Sequence, residues 1–115
     1  MKTLLLTFCL LLTTTMGHAA ENGRTLIIFS ASWCPPCQQM KKDVFPLLKT
    51  ELSQWDVILV DSDKFQSSLK AWKVESIPTI IFAKRENKQY ATEVKRLIGY
   101  TSASELKKHL DTLLR

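Results

Sequence analysis

Two cysteines, Cys34 and Cys37, stand with only prolines between them at the point where one kind of residue patterning gives way to another. Before them, residues 25–30 (TLIIFS) form a β-branched and aromatic run too brief for a helix, which suits a buried strand. After them, Met40, Val44, Leu47, Leu48 and Leu52 recur at helical spacing with polar residues opposite, so the pattern predicts one amphipathic helix from Pro35 to about Leu52. Pro46 should kink it, because the ring removes a backbone bond and clashes with the preceding turn. The cysteine pair therefore marks a strand-to-helix junction.

That position has chemical consequences. With Cys34 at the N-cap, Pro35 takes the first helical position, where a missing N–H costs nothing because it would have no intrahelical partner. A sulfur at the N-cap sits at the positive end of the helix and can accept from the Cys37 amide, so its thiolate is favoured. Cys34 is the expected nucleophile. Cys37 lies one turn further in, with α-carbons roughly 5 Å apart by helix geometry, inside the range for a disulfide. It is the expected resolving thiol. Half of a zinc site is the first competing reading, but beyond the leader described below there is no second cysteine pair and His109 is the one histidine certain to remain. A purely structural bridge is the second, but closing so short a loop constrains an unfolded chain little.

The remainder reads as a single small domain. At 45% hydrophobic residues, with 3 Gly and 4 Pro among 115, the chain is not disordered or collagen-like and can bury a core. Residues 56–61 (DVILVD) suit a second buried strand, and Phe65, Leu69 and Trp72 suggest a short second helix. Residues 78–83 (PTIIFA) suggest a third strand, 84–89 (KRENKQ) a polar turn, and 90–98 a fourth strand ended by Gly99. Ser102 with Glu105 makes a capping-box signal ahead of the apolar stripe Leu106, Leu110, Leu113 and Leu114. The order βαβαββα implies a parallel crossover, expected to be right-handed, followed by an antiparallel hairpin. A four-stranded mixed sheet with helices on both faces follows.

Residues 1–19 are read as a secretory signal peptide: Lys2, an apolar run from Leu4 to Leu12, then small and polar residues with Gly17 and Ala19 before the cleavage point. The run is too short for a membrane anchor. Cys9 lies within it, behind bulky Phe8, which argues against a lipoprotein. The domain is then 20–115, and the chain is expected to be exported, to the periplasm or beyond the cell. The formal net charge of +5 loses one cation with Lys2, and the remaining cations are scattered in short pairs, so no nucleic-acid partner is expected. Cys34 and Cys37 are left as the only pair in a compartment that does not keep thiols reduced by default.

One more motif completes the pattern. Ser76-Ile77-Pro78-Thr79 precedes the third strand, and a proline opening an inner strand is unusual without a special turn, so a cis Ile77–Pro78 bond is expected. Trp33-Cys34-Pro35-Pro36-Cys37 at a strand-to-helix junction, with Ile77-Pro78-Thr79 downstream in a βαβαββα chain, resembles the thioredoxin superfamily. The resemblance covers about 25–115. It implies a thioredoxin fold and a disulfide oxidoreductase with no cofactor beyond the Cys34–Cys37 couple and no metal. It also implies that Pro78 abuts the sulfurs, that the Ile77 backbone pairs with an extended substrate, and that Trp33, Pro35, Pro36 and Gly99 complete the substrate-binding surface.

The chain departs from cytosolic thioredoxins in instructive places. Those proteins carry a buried aspartate on the first strand where this chain has Ile28, and a lysine on the next strand, aligned here with Val57. Deprotonation of Cys37 then needs another route, such as water near the site. The late helix proline, in Val44-Phe45-Pro46, is more similar to exported thioredoxin-like proteins. Because both residues between the cysteines are prolines, Cys37 supplies the main amide to Cys34, and no imidazole adds charge. A less stabilised thiolate makes a more reducing couple, so a reductant is expected. Its partners would be disulfide-containing exported proteins, apocytochromes among them, and a membrane thiol donor that recharges a monomer. A disulfide oxidant or isomerase would use the same residues. A non-enzymatic Cu(I) carrier, with Met40 as a further soft ligand, is the alternative from another class.

Overall fold

A computed structural model describes residues 23–87 and 90–113. The expected leader lies outside the described residues, as do parts of the polar turn and of the C-terminal apolar stripe.

Among the described residues, four strands and three α-helices run in the order β1 (Arg24–Ser30), α1 (Pro35–Val44), β2 (Asp56–Asp61), α2 (Gln66–Ala71), β3 (Thr79–Arg85), β4 (Ala91–Ile98) and α3 (Ala103–Leu113). They form one mixed sheet in the order β2-β1-β3-β4, in which β1 runs parallel to β2 and antiparallel to β3, and β3 and β4 form the hairpin. This is the thioredoxin fold.

Strand β1 is buried on both faces because its side chains alternate between two apolar clusters. Leu26 and Ile28 point into the larger one with Met40, Val44, Leu47, Trp55, Ile80, Phe82, Leu106 and Leu110, beneath α1 and α3. Ile27 and Phe29 point the other way, toward Val60, Val74, Ile81 and Ala83, with Leu69 and Trp72 of the α2 region packed against them. Such a strand has no solvent-facing side and belongs in the interior of the sheet. Met40 is thus a core side chain.

Three expectations need correction. The helix after the cysteines does not continue past Pro46 with a kink: α1 ends at Val44 and the chain tightens into a 3-10 segment, Phe45–Lys49. Pro46 has no N–H to offer to an α-helical carbonyl, so the last α-type bond runs from the Phe45 N–H to Lys41 O. Phe65 is not part of a buried stripe on α2; it precedes the helix as an exposed N-cap residue, and Leu69 and Trp72 make the contacts. In addition, β3 extends two residues beyond Ala83 into the segment read as a turn. The hairpin also carries an irregularity: Phe82 pairs with Lys95 and Ala83 with Glu93, so Val94 is an extra residue in β4.

The capping signal at the last helix is realised on one side, where the Glu105 amide donates to Ser102 Oγ at 3.2 Å. Phe82 is fully buried and meets Trp55 edge-on, ring centroids 5.8 Å apart. Its truncation would remove that contact and open a cavity in the middle of the larger cluster. Phe82→Ala should therefore lower unfolding free energy by about 3 to 5 kcal/mol, read as a lower denaturant midpoint at unchanged slope.

Candidate active site

The site forms where β1 ends. Ser30 closes the strand, the turn through Ala31 is held by the Cys34 amide donating to Ala31 O at 3.3 Å, and α1 begins at Pro35 with Cys34 as its N-cap. Gln38 Nε2 also donates to Ala31 O, at 2.8 Å, which fixes the first turn of α1 against the loop. Cys34 and Cys37 are joined in a disulfide with α-carbons 5.2 Å apart. The Cys37 N–H donates to Cys34 Sγ at 3.3 Å, the single side-chain cap of the helix. Pro35 and Pro36 occupy the intervening positions with exposed rings. Cys37 is completely buried and Cys34 is 5% exposed, so a partner would approach at the edge of the Cys34 sulfur.

The other motif reaches the same place through the sheet. Phe29, near the end of β1, pairs with Thr79 at the start of β3. Residues 77 and 78 are thereby delivered beside the junction, and Ile77 packs against the small cluster of Ala31, Cys34 and Cys37. The Ile77–Pro78 peptide is cis, and Pro78 is buried. Thr79 Oγ1 donates back to Ser76 O at 2.8 Å, and the Gly99 amide donates to Pro78 O at 2.9 Å. Gly99 has φ +89°, a backbone region that disfavours residues with a β-carbon. It ties the end of β4 to the proline turn.

Trp33 is 66% exposed, so it is no core residue. Its indole Nε1 donates to both carboxylate oxygens of Asp63, at 2.9 and 3.1 Å, which restrains a large apolar surface beside the cysteines. Asp63 was not singled out in the sequence. It lies thirty residues away, in the turn after β2, and only the parallel pairing of β1 with β2 brings that turn to the junction. Tyr100, directly after Gly99, was also missed: its hydroxyl donates to Asp43 on α1. That bond holds the phenol pKa above its ordinary value. Neither contact has a local spacing that could have revealed it.

The strand beneath the cysteines is apolar. Ile28 is buried in the larger cluster, and its partner on β2 is Leu59, with Val57 opposite Leu26. The residue beside Ile28 is thus Leu59 rather than Val57. Either way, no carboxylate or ammonium stands at this position.

With this geometry in view, comparison with known proteins is consistent throughout. The thioredoxin family model matches residues 15–112. Thioredoxin-1 of Drosophila melanogaster is 35% identical over 75 residues, which cover 65% of this chain and 69% of that protein. Among solved structures, malaria parasite thioredoxin-2, described as a component of the parasite's protein secretion machinery, aligns with a TM-score of 0.71 at 26% identity, covering 84% of this chain and 88% of that one. Trxlp from Edwardsiella tarda aligns with a TM-score of 0.68 at 28% identity, covering 80% and 85%. A family match along most of its length and a disulfide seated at the start of α1 make this chain a member of the thioredoxin family, a thiol–disulfide oxidoreductase of the thioredoxin type.

Proposed function

We propose that this protein is a reductant of disulfides in exported proteins. The observation that carries the reading is the cap itself: among the described residues Cys34 Sγ accepts from the Cys37 amide alone, and prolines fill both positions between them. Pro36 removes the amide that would otherwise be the second donor at the N-cap. Fewer donors mean a less stabilised thiolate, a less stable dithiol and a couple that gives up electrons more readily.

The reaction runs through a mixed disulfide. Cys34 thiolate attacks one sulfur of the client disulfide; that S–S bond breaks, and the departing client thiolate takes a proton from solvent. Cys37, deprotonated by water reaching the junction, then attacks Cys34 Sγ. The second client thiol leaves, the Cys34–Cys37 disulfide forms, and two electrons have passed to the client. Cys34 is the nucleophile because it is the sulfur at the helix mouth with an exposed edge, and Cys37 resolves because it is buried one turn deeper. Trp33, Pro35, Pro36, Ile77, Pro78 and Gly99 form the binding surface around them, with the Ile77 backbone pairing with an extended client.

Residues 1–19 serve as the export signal and 20–115 as the mature domain, supported by Lys2, the short apolar run and the small residues before Ala20. In the periplasm a reductant must be recharged, and a membrane thiol donor fits that need. No helix among the described residues is long and apolar enough to cross a membrane. The working unit is the monomer.

Equilibration of the Cys34/Cys37 couple with glutathione buffers tests the direction of electron flow. A potential near about −270 mV, the general value for thioredoxins, or lower is expected, whereas one near about −120 mV, typical of strong oxidants, would overturn the assignment. The division of labour is tested by single substitutions. Cys37→Ser should accumulate a mixed disulfide with a protein client on a non-reducing gel, and Cys34→Ser should form none and lose disulfide reductase activity. A Cys34→Ser protein that still reduced disulfides would remove Cys34 from the nucleophilic role.

A further inference from the structure

The carbonyl end of α2 is held from across the sheet. Arg96 stands on the edge strand β4 opposite Ile81 of β3, on the face that α2 covers. Its Nη2 donates to Trp72 O at 2.7 Å and its Nη1 to Lys73 O at 3.1 Å. Glu93, on the same strand, accepts from Nε at 2.9 Å and also from Nη2. The planar guanidinium thus spans two backbone carbonyls and a carboxylate, a geometry that a lysine cannot reproduce. The bond from Arg96 holds the Glu93 carboxyl below its usual range, and Glu93 raises Arg96 in turn.

The held segment leads straight to the dithiol. Lys73 has φ +53°, a left-handed conformation that costs energy for a residue with a side chain. From there the chain runs through Val74 and Glu75 to Ser76, whose carbonyl is held by Thr79 Oγ1, and then to Ile77, which packs on Cys34 and Cys37. Residues 74–77 are therefore a short bridge between the β3 ladder and the end of α2, where the Val74 N–H donates to Leu69 O at 2.9 Å, the Val74 side chain is buried, and Arg96 holds the two carbonyls just before it. Loss of the Arg96 bonds would leave the strained turn at Lys73 held only by the Lys73 and Val74 amides on α2 and by the buried Val74 side chain, and would loosen the bridge that follows.

We propose that Arg96 is a positioning residue for protein substrates: its grip on Trp72 and Lys73 steadies residues 74–77 on the path that presents the Ile77 backbone to a client. The inference rests on the reductase reading above and adds to it a specificity for clients that bind through their backbone. A small disulfide that makes no backbone pairing gains nothing from this bridge. An Arg96 that merely capped α2 would affect stability and leave the difference between large and small substrates untouched.

The test compares insulin, a protein disulfide, with 5,5′-dithiobis(2-nitrobenzoic acid), a small one, using the purified protein and Arg96→Gln. The expected result is a KM for insulin raised by about fivefold or more, the cost of re-ordering roughly one backbone residue on binding. kcat for insulin, the rate with the small disulfide and the potential of the cysteine couple should stay as in the unsubstituted protein. An unchanged KM for insulin, or equal slowing of both substrates, would overturn the proposal. Should Arg96→Gln fail to fold, Arg96→Lys keeps the charge but loses the fork, and the same selective rise in KM is required of it. If the unsubstituted protein reduced neither substrate, the reductase reading itself would fall, an outcome visible before any variant is assayed.

Discussion

The pairing of β1 with β3 is the constraint on which the site depends. β1 carries apolar side chains on both faces and is buried throughout its central residues, so it must lie inside the sheet with a neighbour on each side. In an antiparallel pair, register decides which residues of the two strands share an end. Here Phe29 faces Thr79, so the turn that follows β1 and the proline that precedes β3 meet at one edge of the sheet. A slip of one residue would turn every side chain of a strand toward the opposite face, and the two apolar clusters forbid that. Core packing thus sets the position of the cysteines relative to Ile77 and Pro78.

Within that frame the electrostatics are spare. The helix mouth presents one amide to Cys34, the prolines withhold another, and the strand below is lined with Ile28 and Leu59 in place of ionisable groups. Polar contacts lie around the rim instead. Asp63 holds the Trp33 indole, Asp43 holds the Tyr100 hydroxyl, and Arg96 holds the carbonyls that end α2. Each joins elements far apart in the chain, so the fold around the junction is braced by long-range bonds while the sulfurs sit in an apolar pocket with Ala31 and Ile77.

Much of this was legible in advance. The two runs on either side of the cysteines have different periods, which places the junction, and the N-cap role of Cys34 follows from a proline at the first helical position. The central strands were recognisable as short apolar runs. The failures share one cause. Helical periodicity continued through Pro46 because Leu47 and Leu52 are buried, but they reach the core from a 3-10 segment and a turn, and apolar spacing alone does not report how the backbone gets there. Phe65 fits a helical stripe in spacing yet is exposed, because it lies ahead of the first turn of α2.

Amino-acid order by itself determined the local chemistry of this protein: a sulfur at a helix N-terminus, a second one turn deeper, prolines that remove a donor, and a proline motif at the head of a strand. These depend on neighbours a few residues apart, where covalent geometry and backbone hydrogen bonding leave little freedom. Tertiary structure alone decided which distant groups stand beside that chemistry. Asp63 under Trp33, Leu59 beside Ile28 and Arg96 across α2 are set by strand order and register, which arise from burying two apolar faces at once and leave no periodic mark on the chain.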